Sequence, residues 1–193
     1  MRLINFSDTY DYILALSRKK ASQFALVILS FSESIFFPIP PDTMLIPMSL
    51  ANHKKAFYYA FLTTISSVVG GIVGYFLGFF AIDIIEPVLK SRGYIDDFIR
   101  AKEWFTTWGF LSVLIAGFSP VPYKIFTISA GSLGMFLPGF ILASFIGRGA
   151  RFFLVSGLIV LGGENMNNNI RLYFDKIVIV VTIIFLILLF IIF

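Results

Sequence analysis

Five charged side chains stand inside apolar stretches of this sequence: Glu33, Asp42, Lys124, Arg148 and Arg151. A lone charge at the centre of a bilayer costs about 2.5–3.5 kcal/mol even on lenient insertion scales, so five of them must be paired or wetted. Two acids against three bases is close to balance. Arg148 and Arg151 stand at i and i+3, hence on one helical face. Two chemistries fit such a set. The bases Lys124, Arg148 and Arg151 could hold an anionic headgroup in a watery cavity while Glu33 and Asp42 carry a proton. Alternatively, the same groups form structural ion pairs that clamp the fold, and the two are compatible. Asp42 and Lys124 occupy matching places in two similar segments, which predicts that they meet across a pseudo-two-fold axis.

The elements that must position these groups are organised around a stretch that occurs twice. Phe37-Pro38-Ile39-Pro40-Pro41-Asp42 is matched by Ser119-Pro120-Val121-Pro122-Tyr123-Lys124. Proline lacks an N–H and crowds the preceding turn, so each P-x-P breaks a helix and sets a charge just beyond the break. Pro38, Pro40, Pro41, Pro120 and Pro122 are the candidate hairpin breaks. Broken backbone at membrane depth must be buried in protein or line a cavity. Two such breaks in corresponding places point to a transporter's binding site.

Composition agrees. The chain is 58% hydrophobic and 13% charged, with 24 Phe in 193 residues, against roughly 45–50% and 25% for soluble domains. That is an integral membrane protein, all-α by its segment lengths. It has no cysteine, which excludes disulfides, thiol catalysis and Cys-ligated metal. The net charge of +4 lies at segment ends, which argues for orientation in a bilayer and against nucleic acid. Residues 1–20 read as an amphipathic lead-in and lack a signal-peptide pattern.

Charge bias then sets the topology. Residues 21–51 are two short apolar pieces flanked by Arg18, Lys19 and Lys20 on one side and Lys54 and Lys55 on the other. Both clusters stay cytoplasmic if this unit dips in and returns, so it is predicted to be a re-entrant hairpin. Residues 56–82 form a span with Gly70, Gly74 and Gly78 at i, i+4 and i+8, a smooth stripe for close helix packing. Residues 83–103 are a polar linker facing outside. The plan repeats with a hairpin at 104–135 and a span at 137–163, where Ser144 to Phe153 aligns with Ser67 to Phe76. Residues 177–193 add a C-terminal transmembrane helix. The result is an inverted-topology repeat with a cytoplasmic N-terminus. Its inner side holds Arg2, Arg18, Lys19, Lys20, Lys54, Lys55, Arg171 and Lys176, and its outer side only Lys90, Arg92, Arg100 and Lys102.

Other residues read as structural. His53 sits among Asn52, Lys54 and Lys55 and is expected to be solvated, with no serine motif beside it for a hydrolase. Pro47 and Pro138 are expected to mark hairpin or span ends. Trp104, Trp108 and Tyr94 fit an interfacial belt. No metal site, cofactor or catalytic residue is indicated, and the chain reads as a transporter and not an enzyme.

From about Gln23 to Leu161 the sequence resembles the DedA family of bacterial membrane proteins, related to lipid scramblases that carry the VTT (SNARE-associated) domain. Glu33 followed by Pro40-Pro41-Asp42-Thr43-Met44-Leu45 is similar to the family's acid and its P-G-D/E-S-L-L turn. Gly70-Gly71-Ile72-Val73-Gly74-Tyr75-Phe76-Leu77-Gly78-Phe79 is similar to G-D-x-x-G-Y-x-x-G-R. Gly117-Phe118-Ser119-Pro120, Lys124 and Ala130-Gly131-Ser132-Leu133-Gly134-Met135 are similar to R-F-x-P, a second base and A-G-x-x-x-M. Gly71, Phe79 and Gly117 replace the family's acid and two arginines, and Lys124 stands one position late. This places the chain near a divergent, YqaA-like branch, with Arg148 and Arg151 as substitutes for the missing charge. The resemblance implies a flippase or scramblase of the inner membrane that moves undecaprenyl phosphate or a phospholipid with the proton gradient, as a possible homo-oligomer. A proton-coupled carrier of a small soluble solute or ion is the alternative.

Overall fold

The computed structural model describes residues 20–119 and 122–162. The lead-in at 1–20, apart from Lys20 itself, lies outside them, as do the loop after Gly162 and the predicted helix at 177–193. Among the described residues every regular element is helical: α1 (Lys20–Glu33), α2 (Asp42–Ala51), α3 (Ala56–Arg92), α4 (Ile95–Phe118), α5 (Tyr123–Ser132) and α6 (Leu137–Gly162). A 3-10 turn, His53–Lys55, joins α2 to α3.

The prolines define the first break. The amides of Phe36 and Phe37 fold back onto the Ser32 carbonyl, and then Pro38, Pro40 and Pro41 offer no N–H. Pro41 caps α2 in helical conformation, and Thr43 Oγ1 donates to the Pro40 carbonyl at 2.8 Å. In the second unit α4 ends at Phe118, Ser119 turns extended with φ −79° and ψ 166°, and Pro122 caps α5. Pro120 lies outside the described residues. Glycine closes two other turns. Gly93 (φ 77°) ends α3, with the Tyr94 amide donating to the Leu89 carbonyl, and Gly134 (φ 72°) follows α5.

Two expectations need correction. The linker 83–103 is almost wholly helical: 83–92 complete α3, and α4 begins at Ile95, well before residue 104. α3 therefore runs 37 residues, or about 55 Å at 1.5 Å per residue. It continues through Pro87, which is exposed. Pro47 likewise lies inside α2 and does not end it. Pro138, by contrast, is the second residue of α6, where its missing N–H costs nothing.

Packing repeats between the units α1–α2–α3 and α4–α5–α6. The first helix of each lies on its own last helix (α1 on α3, α4 on α6). The second lies on the other unit's long helix (α2 on α6, α5 on α3), and α3 packs against α6 between them. Glycine makes these approaches possible. A Cβ at Gly70 would strike the Phe31 carbonyl of α1, and one at Gly147 the Leu114 carbonyl of α4. Gly78 and Gly131 meet backbone across the α3–α5 contact in the same way, and Gly74 faces Thr127 and the Ser34 carbonyl.

Hydroxyls are frequent in the interior and large apolar side chains on the surface. Ser30, Ser34, Ser49, Thr63, Thr64, Ser67, Thr127, Ser144 and Ser156 are buried, while Phe57, Phe61, Phe76, Phe80, Leu142 and Phe153 are exposed. Aromatic rings turned outward and hydroxyls turned inward fit a hydrocarbon solvent. The segments His53–Arg92 and Leu137–Gly162 are each long and apolar enough to cross a membrane. One apolar cluster gathers Leu26, Leu45, Met48, Tyr59, Phe152 and Ile159; a second gathers Tyr75, Phe105, Val113, Tyr123 and Phe140. Residues 144–151 of α6, with both arginines, lie between them.

Candidate functional site

The site is built where α6 faces the first break. Glu33 is the last residue of α1 and Asp42 the first of α2, so the two acids flank the break from either side. Arg148 and Arg151 share one face of α6, and each takes one acid. Arg148 Nη2 donates to Glu33 Oε2 at 2.5 Å, with side-chain exposures of 4% and 13%. Arg151 Nη2 donates to Asp42 Oδ2 at 2.5 Å, with 10% and 12%.

The two pairs are held differently. Arg148 is fixed on every side. Its Nε donates to Ser67 Oγ at 2.6 Å, and its Cζ lies 4.8 Å from the Tyr123 ring centroid and 4.7 Å from that of Phe152. Ser67 Oγ in turn lies 2.8 Å from Ser34 Oγ, which donates to the Ser30 carbonyl at 3.1 Å. Because Ser67 accepts from arginine and Ser34 donates onward, the hydrogen between the two hydroxyls belongs to Ser67. Cation–π contacts strengthen as the cation is desolvated, so the rings compensate Arg148 for the water it has lost. Arg151 reaches further: its Nη1 donates to the backbone carbonyl of Ser119 at 2.7 Å, across to the second break. Asp42 Oδ1 is buried and has no hydrogen-bond partner among the described residues.

Asp42 and Lys124 do not meet as expected. Asp42 is taken by Arg151, and Lys124 Nζ donates to the carbonyls of Phe36 at 3.0 Å and Phe37 at 3.4 Å. α2 lies against α6 as well as its own α3, whereas α5 lies mainly on α3, and Asp42 is turned to Arg151 of α6. Four of the five charges thus gather as two pairs, and Lys124 stands beside them on backbone. His53, expected in solvent, is half-buried, with Nε2 shielded and unpartnered among the described residues. Gly70, Gly74 and Gly78 lie on packing contacts with Phe31, with Thr127 and the Ser34 carbonyl, and with Ile128.

Sequence reasoning did not single out Ser34, Ser67, Ser119, Tyr123 or Phe152 as members of the site. Serines inside apolar segments were the available signal for the first two. Gly71 is also explained: a Cβ there would lie 2.8 Å from the Tyr123 hydroxyl, so Tyr123 fills the space that a side chain on α3 would need. In the alignment of α3 with α6, Gly71 and Gly74 match Arg148 and Arg151. One long helix supplies room, and the other supplies charge.

The chain matches the VTT domain over residues 37–161. It is 46% identical over 166 residues to an uncharacterized protein of Haemophilus influenzae, covering 86% of each. To a protein of Staphylococcus aureus named undecaprenyl phosphate transporter A it is 30% identical over 155 residues, covering 72% of this chain and 71% of that one. To an alkaline phosphatase-like protein of Lactococcus lactis it is 28% identical over 134 residues, covering 64% and 63%. No solved structure matches the chain. The VTT match spans both breaks and both arginines, and on this ground the chain belongs to the DedA family of VTT-domain membrane proteins.

Proposed function

We propose that the protein is a transporter that moves an anionic lipid, a polyprenyl phosphate or a phospholipid, across the cytoplasmic membrane, coupled to protons at Glu33 and Asp42. The observation that carries this is the pair of carboxylate–guanidinium contacts enclosed in a bundle whose outer surface is apolar. Replacing buried ion pairs by apolar residues is often neutral or stabilising, so structure alone does not require them. A guanidinium held by a carboxylate can exchange that partner for a phosphate, whose oxygens match the same planar fork. Protonation of the acid frees the arginine for that exchange. Asp42 Oδ1, buried and without a partner among the described residues, is the open position for the proton.

The relatives add the substrate class, since one is named as a transporter of undecaprenyl phosphate. The lengths of α1, α2 and α5 support re-entrant hairpins, whereas α4, with 24 residues, could reach across by length alone. α1 has 14 residues and α2 and α5 have 10 each, or about 21 and 15 Å, against a hydrocarbon core of about 30 Å. In this reading each hairpin enters and leaves on one face, the two from opposite faces, with the N-terminus cytoplasmic.

Reconstitution into liposomes tests the proposal, with fluorescent phospholipid and polyprenyl phosphate assayed with and without a pH gradient. Lipid should move faster than in protein-free vesicles, and Asp42→Asn should remove the response to the gradient. No lipid movement, together with gradient-driven uptake of a small soluble anion, would replace the lipid reading by the solute carrier.

A further inference from the structure

The ion pairs leave one question of backbone chemistry: what receives the carbonyls that the two P-x-P breaks set free. A helix stopped by P-x-P leaves its last C=O groups without intrahelical donors, and hydrocarbon offers none. At the first break the carbonyls of Phe36 and Phe37 accept from Lys124 Nζ, at 3.0 and 3.4 Å. At the second, the Ser119 carbonyl accepts from Arg151 Nη1 at 2.7 Å. Phe37 and Ser119 are matching residues, each directly before the first proline of its break. Asp42 and Lys124 match as well, and the pattern between them is crossed. Lys124 of the second unit reaches Phe37 of the first. Asp42 of the first is joined to Ser119 of the second through Arg151.

The difference between the two links follows from donor chemistry. An ammonium donates to a carbonyl directly, whereas a carboxylate and a carbonyl are both acceptors and need a donor between them. The arginine fork supplies it, with Nη2 toward Asp42 and Nη1 toward Ser119. We infer that Lys124 is a positioning residue and not a substrate ligand, and that Lys124 and the Asp42–Arg151 pair are two crossed ties that hold the broken hairpins together. Thr127 lies at the contact between the units, fully buried, with its Oγ1 2.9 Å from the Lys124 carbonyl, to which it donates, and 3.3 Å from the Ser34 carbonyl. This deepens the transport reading and rests on it for its purpose: hairpins that part for a headgroup must open both ties.

The test uses the full chain, which has no native cysteine. Thr127→Cys places a thiol at the buried contact between the units, and its alkylation by a maleimide in purified protein reports their separation. Lys124→Met should raise the alkylation rate roughly tenfold or more, the factor expected from losing hydrogen bonds to a charged group. Lys124→Arg, which keeps the donors, should stay within about twofold of the parent, and it serves as the folded comparison if Lys124→Met does not insert. A second arm rebuilds the other tie on the lysine pattern. Asp42→Lys and Arg151→Met should each raise alkylation, whereas the two together should restore it, because a lysine at 42 can reach Ser119 as Lys124 reaches Phe37. Unchanged alkylation in Lys124→Met would overturn the inference, as would a double variant no slower than the singles. Binding of polyprenyl phosphate vesicles, measured on the same proteins, separates the two claims. Loss of lipid binding in Lys124→Met with unchanged alkylation would make Lys124 a ligand. The expected alkylation pattern in a protein that moves no lipid would leave the ties standing and remove the transport reading alone.

Discussion

Arg148→Met removes the guanidinium but keeps most of the side chain's volume, and the surroundings of Arg148 set its cost. Glu33 would keep a carboxylate with 13% side-chain exposure and no cation, Ser67 would lose a donor at 2.6 Å, and two aromatic rings would lose the charge between them. Breaking a buried ion pair from one side costs about 3–5 kcal/mol. Each desolvated cation–π contact contributes up to about 2 kcal/mol. The terms overlap, so we expect a loss of about 4 kcal/mol on the single change. Glu33→Gln alone should cost less, since the amide can still accept from Arg148. Combining the two removes the stranded carboxylate, so the double variant should recover at least about 1 kcal/mol relative to the sum of the singles. The measurement is a double-mutant cycle from reversible denaturation in detergent micelles. Arg148→Lys supplies the control on geometry: a single ammonium cannot meet Ser67, Glu33 and both rings together, so we expect it to be clearly less stable than the parent. Strict additivity in the cycle, or an Arg148→Met protein as stable as the parent, would refute the enclosed pair.

Gly70→Ala and Gly147→Ala should each destabilise by about 1–3 kcal/mol through backbone collisions with Phe31 and Leu114. Gly149→Ala, whose Cβ would make an ordinary contact with Thr64 at 3.6 Å, should be neutral or slightly stabilising, as thermal melts of the three would show. Single cysteines at Ala51 and Lys54 should react with a membrane-impermeant maleimide only in inverted vesicles, and one at Ser91 only in intact cells. Outside labelling at position 54 would exclude the re-entrant arrangement. Arg151→Lys should keep insertion but reduce lipid affinity several-fold, because one ammonium cannot offer the paired donors that a phosphate and the Asp42–Ser119 link both use; unchanged affinity would remove Arg151 from the phosphate site.

The charges were legible in the sequence because hydrocarbon makes each one expensive: Glu33, Asp42, Lys124, Arg148 and Arg151 needed no structure to be noticed. Their partners were not legible. Matching positions suggested Asp42 with Lys124, but pairing is decided by which long helix each short helix crosses, and the crossover of α2 onto α6 leaves no local mark. The breaks were readable from P-x-P, since proline's missing N–H acts locally. Pro47 and Pro87 have the same chemistry and yet lie within helices, because one proline costs a single hydrogen bond that exposure or neighbours can offset. The polarity of residues 83–103 marks what faces water and says little about whether the backbone is helical. Ser34 and Ser67 were hidden for a related reason: a serine in an apolar run is equally able to bond its own helix, as Thr63 and Thr64 do.

The exchange of Gly71 and Gly74 on α3 for Arg148 and Arg151 on α6 bears on the resting state. Two identical units that swapped shapes would give inward-facing and outward-facing forms related by a two-fold rotation, equal in energy without a gradient. Here one unit holds both arginines, the other holds both of their acids, and the glycines of α3 admit Tyr123 and Thr127 where α6 carries side chains of its own. In the proposed transport cycle, shape exchange would therefore convert one arrangement into a chemically different one, and no symmetry holds the two forms at equal energy. The protein should idle facing one side of the membrane, which unequal alkylation of a single cysteine at Pro122 from the two sides of a vesicle, with no gradient imposed, would register. Equal rates would mean that the asymmetry of charge is compensated elsewhere in the chain.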